Sequence, residues 1–331
     1  MAKTTTKKSK KNELDLTTAD LSTSDARNKL FDDCFMKLST GSKAEFEVWS
    51  DFVYLFAWEL ADQAKNPVKS LYDKYWHIYN SLSEEDKKYY QTMMSVVLLE
   101  IASKPNQDWF GKKYMELGIS DKKSKAQLFT PYEISRLMAD ISLSEKAPNR
   151  KSLQEEIDER GFITFADDCI GAGSMMIGFV NKVSEMNIDV SDSVWVVGGD
   201  ISEIALLQCY IQASLLRIPG VFELGDALTL DYQYGLFTPA ARKDKWINLF
   251  NQQRLPFHKV KYDWLKQQPK PVDKDLLAWE MRYMYAKENH LNLKETLADE
   301  DLTIEHLATE MLPEIVANSG GAAENSPLNI A

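Results

Sequence analysis

The run Phe162-Ile-Thr-Phe-Ala-Asp-Asp-Cys-Ile-Gly-Ala-Gly-Ser-Met-Met-Ile177 limits what this chain can fold into more than any other stretch. Phe162, Ile163 and Phe165 are apolar and β-prone, which predicts a short buried strand. Asp167 and Asp168 end the apolar run, and Gly171-Ala-Gly-Ser174 permits a tight turn. Met175, Met176, Ile177, Phe179 and Val180 resume at helical spacing. Strand, acidic tip, glycine turn and helix together open a nucleotide-binding βα unit. Its glycines let backbone approach a ligand, and its helix N-terminus offers N–H groups. A Gly-x-Gly turn also joins strands to helices for purely steric reasons, so this stretch alone leaves both readings open.

Its neighbours extend the pattern. Val194-Trp-Val-Val-Gly-Gly-Asp200 predicts a second buried strand ending in a carboxylate, 33 residues after Asp167. That leaves room for one helix and a return strand, and an acid there commonly takes the ribose hydroxyls of an adenosine ligand. Ile201 to Ile218 reads as a helix stopped by Pro219-Gly220, and Val221 to Asp226 as a third short strand. Three strands with polar ends, alternating with helices, fit one side of a doubly wound parallel α/β sheet.

Upstream lies Gln127-Leu-Phe-Thr-Pro-Tyr-Glu-Ile-Ser-Arg-Leu-Met138. Together with Asp167-Asp-Cys-Ile-Gly-Ala-Gly173, Asp200 and Gly225-Asp226, this order of motifs resembles adenine-N6 DNA methyltransferases of the type I modification-subunit kind. Phage and plasmid methylase-like proteins of that group are the nearest likeness. The matched order covers residues 108–228, about a third of the chain. The family's loop reads Asp-Pro-x-Cys-Gly-x-Gly; here Asp168 replaces the proline and Ile170 the cysteine. The resemblance implies an S-adenosylmethionine site formed by Phe129, Thr130, Pro131, Asp167, Gly171, Gly173, Asp200, Ile201, Asp226 and Ala227. It also implies DNA as a partner. Thr130-Pro131-Tyr132-Glu133 has an independent reading as a helix start, with threonine as cap and proline at the first helical position.

The family's catalytic Asn/Asp-Pro-Pro-Phe/Tyr tetrapeptide occurs nowhere in the chain. In that family it accepts hydrogen bonds from the adenine amino group and stacks on the flipped base. Where it is expected, Tyr234-Gly-Leu-Phe-Thr-Pro-Ala-Ala241 offers only Thr238 and Pro239, with Phe237 as a nearby ring. Three readings of function therefore stand: an adenine-N6 methyltransferase; a methyltransferase-like binding module without chemistry, serving as partner subunit or decoy; and a dinucleotide-dependent oxidoreductase. The last shares the glycine turn and Asp200 but has no catalytic residues of its own.

Charge bears on DNA binding. The net charge is −11, yet residues 1–12 hold five lysines and no acid, which leaves 34 basic against 50 acidic side chains in the remainder. So acidic a body needs a local basic face, the lysine leader or a partner subunit to hold phosphates. The leader also reads as a disordered solubilising segment. Cys34, Cys169 and Cys209 are scattered, without a CxxC pair, and the four histidines share no context. A reduced, cytoplasmic setting follows, with no metal site expected. With neither an apolar leader nor a run of about 20 apolar residues, no membrane association is expected.

Residues 1–25 are expected to be disordered, 26–125 to form a helical domain, and 126–240 an abbreviated Rossmann-like methyltransferase domain. A helical extension over 241–318 and a flexible tail over 319–331 complete the chain. Within the first domain Trp49, Phe52, Val53, Phe56 and Leu60 mark an apolar helical stripe, and Ser81–Asp86 carries a capping signal. Trp58, Tyr72, Tyr75 and Trp76 suit core packing better than base stacking. Residues 142–160 read as a polar connector, 242–266 as a basic and aromatic helical segment, and 275–293 as a helix.

Overall fold

All seven residues of β2 (Val194–Asp200) are buried, and the rest of the fold is built outward from that strand. The computed structural model describes residues 21–40, 43–119, 130–144, 152–251, 273–303 and 306–307. β1 (Ile163–Asp167), β2, β3 (Gly220–Asp226) and β4 (Asp231–Phe237) form one sheet in the order β1-β2-β3-β4. The first three strands run parallel, with Asp167 beside Gly198 and Asp200 beside Leu224. α8 (Ser174–Glu185) and α10 (Glu203–Leu215) cross between them. Ile163, Val194, Val196, Phe222 and Leu224 share one core with these helices, and Phe162, Trp195, Val197 and Val221 pack with Trp246 in another. A strand buried on both faces reads as a continuous apolar run, which is why β2 was legible.

β4 is a fourth strand beyond the three read from the sequence, and it breaks the parallel order. It pairs antiparallel with β3, matching Phe222 with Leu236 and Val221 with Phe237. Only four residues separate Asp226 from Asp231, whereas a parallel crossover needs about a dozen or more. The chain therefore turns back, and Leu230 takes a left-handed φ of 57° in the turn.

α1 (Ser24–Ser39), α2 (Glu45–Gln63), α3 (Lys69–Ser81), α4 (Glu84–Ser103) and α5 (Trp109–Glu116) cover the α10 side of the sheet. α2 is buried on nearly all sides, because α1, α3, α4 and α10 all contact it. Ser83 accepts from the Asp86 amide and caps α4. Arg27 on α1 meets the buried Glu100 of α4 at 2.5 Å, and Ser24 and Asn28 bond the other carboxylate oxygen. Trp58 and Tyr72 pack edge-on, and each also touches α12 (Lys274–Glu288) through Tyr283 and Trp279 respectively. Those aromatics are core. One hydrophobic cluster runs from Leu30 through the sheet to Tyr283.

Two further expectations change. The connector contains α7 (Leu153–Arg160), started by a Ser152–Glu155 capping box and ended by Gly161 at φ 82°. Thr130 caps nothing: α6 (Tyr132–Ser142) has Pro131 itself at the N-cap, without a side-chain cap bond. α9 (Val190–Ser193) leads into β2, a 3-10 turn (Pro239–Arg242) follows β4, and α11 (Asp244–Asn251) and α13 (Leu293–Ala298) complete the described elements. Residues 1–20, Phe129, the basic and aromatic run beyond Asn251, and 308–331 lie outside the described residues. No helix among the described residues is long and apolar enough to cross a membrane.

Candidate functional site

Parallel strands present their carboxyl ends at one edge, and here three of them end in aspartate: Asp167, Asp200 and Asp226. Each carboxylate organises the backbone that follows it. Asp167 accepts from the Cys169 amide at 3.0 Å, and Asp226 from the Leu228 amide at 2.8 Å. Asp200, 9% exposed, does more. Its Oδ1 accepts from Ser202 N at 2.8 Å, and its Oδ2 from Gly171 N at 2.9 Å. The acid of β2 thereby clamps the loop that follows β1.

That loop folds back over β2. Ile170 N donates to Gly199 O at 2.9 Å, and a Cβ on Gly199 would lie 3.2 Å from Asp168 Oδ1. Gly171 and Gly173 adopt φ of 58° and 99°, a region that glycine enters without Cβ strain. A Cβ on Gly173 would also meet Cys209 Sγ at 2.7 Å, so α8 can start here only from glycine. Of the glycine loop and the three strand ends, the structure brings together Asp167, Gly171, Gly173, Asp200, Ile201, Asp226 and Ala227. Ile201 is 72% exposed beside Asp200, and Ala227 is half-buried beside Asp226.

α6 carries Thr130 and Pro131 to the same region. Ser135 Oγ and Ser174 Oγ are 2.9 Å apart, and Tyr132 OH accepts from Asn181 Nδ2 at 2.7 Å. Both Thr130 and Pro131 are exposed.

Thr238, Pro239 and Phe237 lie elsewhere. Because β4 runs antiparallel, they sit at the amino end of β3, a strand length of roughly 20 Å from the aspartates. Thr238 is fully buried; its hydroxyl donates to Ile218 O at 2.7 Å and accepts from Gly220 N. Phe237 is held by Asn66, whose side-chain amide bonds both its N–H and its carbonyl. These three residues splice β4 to the fold and face no glycine loop.

The electrostatics of the aspartate edge are uniform in sign. Burial pushes the Asp200 carboxyl above its ordinary range, against the lowering effect of the backbone N–H groups it accepts from. Burial, followed by Asp200, Asp167 and Asp168, pushes the Cys169 thiol up. The Tyr232 phenol rises through burial and the charges of Asp168, Glu223 and Asp226. Asp200, Cys169 and Tyr232 thus all resist further negative charge.

Three residues escape the sequence motifs. Leu228, 95% exposed, projects just past Asp226. Gln212, fully buried on α10, donates from Nε2 to Asp108 Oδ1 at 2.9 Å and to Ala172 O at 2.7 Å. Its Oε1 accepts from Trp109 N at 2.9 Å and Phe110 N at 3.3 Å. Asp108 caps α5 through Gly111 N, and burial raises its carboxyl pKa. Two glutamines one turn apart, Gln208 and Gln212, both buried on a helix rich in apolar residues, are the signal that marks this hub in the sequence.

Among the described residues no group of three or more His, Cys, Asp or Glu side chains is placed to hold a metal ion. Comparison with protein-family models, curated proteins and solved structures finds no match to this chain.

Proposed function

We propose that the carboxyl edge of β1–β3 binds S-adenosylmethionine and that the chain is a methyltransferase-like binding module rather than a self-sufficient adenine-N6 methylase. The observation that carries this reading is the clamp of Asp200 on Gly171, set among the carboxylates of Asp167, Asp168 and Asp226. A negative edge suits a ligand carrying a sulfonium and an ammonium group and no phosphate. It opposes a pyrophosphate, which sets the oxidoreductase reading aside. Ile201 and Leu228 offer apolar surface beside the strand ends for an adenine ring.

The direction of β4 supports the second half. Methyl transfer needs an acceptor for the adenine amino group held in line with the methyl donor, and misplacement by about 1 Å costs on the order of a hundredfold. Thr238 and Pro239 are a strand length away. In this reading a partner subunit supplies DNA contacts and chemistry, in keeping with the acidic body.

Calorimetry with S-adenosylmethionine, S-adenosylhomocysteine and NAD tests the first part: the first two bind and NAD does not. Absence of binding by both sulfur ligands removes the reading. Incubation with labelled cofactor and mixed DNA tests the second, with little or no N6-methyladenine expected. Robust methylation that Asp200→Ala abolishes would restore the full enzyme.

A further inference from the structure

The glycine loop has three peptide groups whose conformation must be set before a ligand can use it. Gly171 N is tied to Asp200, and Gly173 N donates to Ile170 O at 3.0 Å. The Ala172 carbonyl lies between Gly171 and Gly173, both at positive φ, where backbone rotation meets least steric resistance. Its anchor comes from 40 residues away, the Nε2 of Gln212.

We infer that Gln212 is a positioning residue of the ligand loop, and that Asp108 fixes which way its amide points. The inference rests on the cofactor reading given above. A primary amide has two donor and two acceptor positions, and Gln212 uses all four. Turned over, it would place its oxygen against Asp108 and Ala172 O, and its NH2 against the Trp109 and Phe110 amides. Every contact would then be donor to donor or acceptor to acceptor. The Asp108 carboxylate, itself held by Gly111 N, makes that flip prohibitive. Gln212 thereby joins the α5 terminus to the Ala172 carbonyl of the loop. The helical layer and the ligand loop share a single side chain.

The test separates positioning from fold stability by exchanging the two groups. Gln212→Glu keeps acceptors for the Trp109 and Phe110 amides but has no donor for Ala172 O and opposes Asp108. It should lower the melting temperature, weaken S-adenosylmethionine by at least about tenfold, and speed amide exchange across residues 170–174. Adding Asp108→Asn removes one of the two facing charges and keeps an oxygen for Gly111 N, easing the α5–α10 junction while leaving Ala172 O without a donor. The double variant should regain part of the melting temperature yet keep weak binding and fast loop exchange. Affinity and loop protection that recover in step with melting temperature would overturn the inference, because Gln212 would then act only through stability. If Gln212→Glu alone fails to fold, the double variant decides the question. If the unaltered protein binds no S-adenosylmethionine, the cofactor reading fails, and loop exchange in the double variant still decides whether Gln212 holds the loop.

Discussion

Asp200 Oδ2 lies 2.9 Å from the amide nitrogen of Gly171, so a side chain at the end of one strand holds the loop leaving its neighbour. The same carboxylate starts α10 through Ser202. Asp200 is therefore a structural clamp before any ligand arrives, with lone-pair capacity left for a ribose hydroxyl.

Asp200→Asn should cost about 1–3 kcal/mol, since an NH2 group then faces one of two backbone donors. Asp200→Ala should in addition weaken S-adenosylmethionine by at least about tenfold. Urea denaturation and calorimetry measure the two effects. Unchanged affinity in a folded Asp200→Ala variant would restrict the residue to capping.

Asp108 predicts a pH dependence. Burial holds its carboxyl above the ordinary range, so the folded chain keeps the proton to higher pH than the unfolded chain. Stability from this group is full below the unfolded value of about 3.9, and falls as pH rises toward the folded value. Asp108→Asn retains an oxygen for Gly111 and Gln212 and carries no charge. Its stability relative to the unaltered protein should rise from about pH 4 upward and then level. Parallel urea midpoints across that range would show that the carboxyl does not titrate between the two states.

Gly173 and Gly235 should respond oppositely to alanine. At Gly173 the φ of 99° and the 2.7 Å approach of Cys209 Sγ predict a loss of about 2 kcal/mol or more. At Gly235 a Cβ would sit 3.5 Å from Glu223 Cγ and Val221 Cγ2, so alanine should be neutral or stabilise β4 by up to about 1 kcal/mol. Denaturant midpoints at constant slope give the comparison.

Gly178→Ala tests the seat of α6. The added carbon would lie 2.9 Å from the Ser135 backbone, so α6 must lift from α8 and the Ser135–Ser174 bond must lengthen. A cost of about 1–3 kcal/mol is expected, with faster amide exchange confined to α6. Full stability would show that the two helices slide freely.

What the amino-acid order determined by itself was local. β2 was legible because a strand covered on both faces is apolar at every position, and the turn at Gly171 and Gly173 because only glycine enters those φ values cheaply. Asp200 and Asp226 were legible as the polar ends of such runs. Tertiary structure decided the rest. Alternation along Asp231–Phe237 is the same for either strand direction, so only the pairing with β3 carried Thr238 away from the aspartate edge. Local spacing also says nothing about where a glutamine side chain will end. Gln212 meets Asp108 and Ala172 from 104 and 40 residues away, and a hydrogen bond depends on distance in space, which only the packing of α5, α8 and α10 supplies.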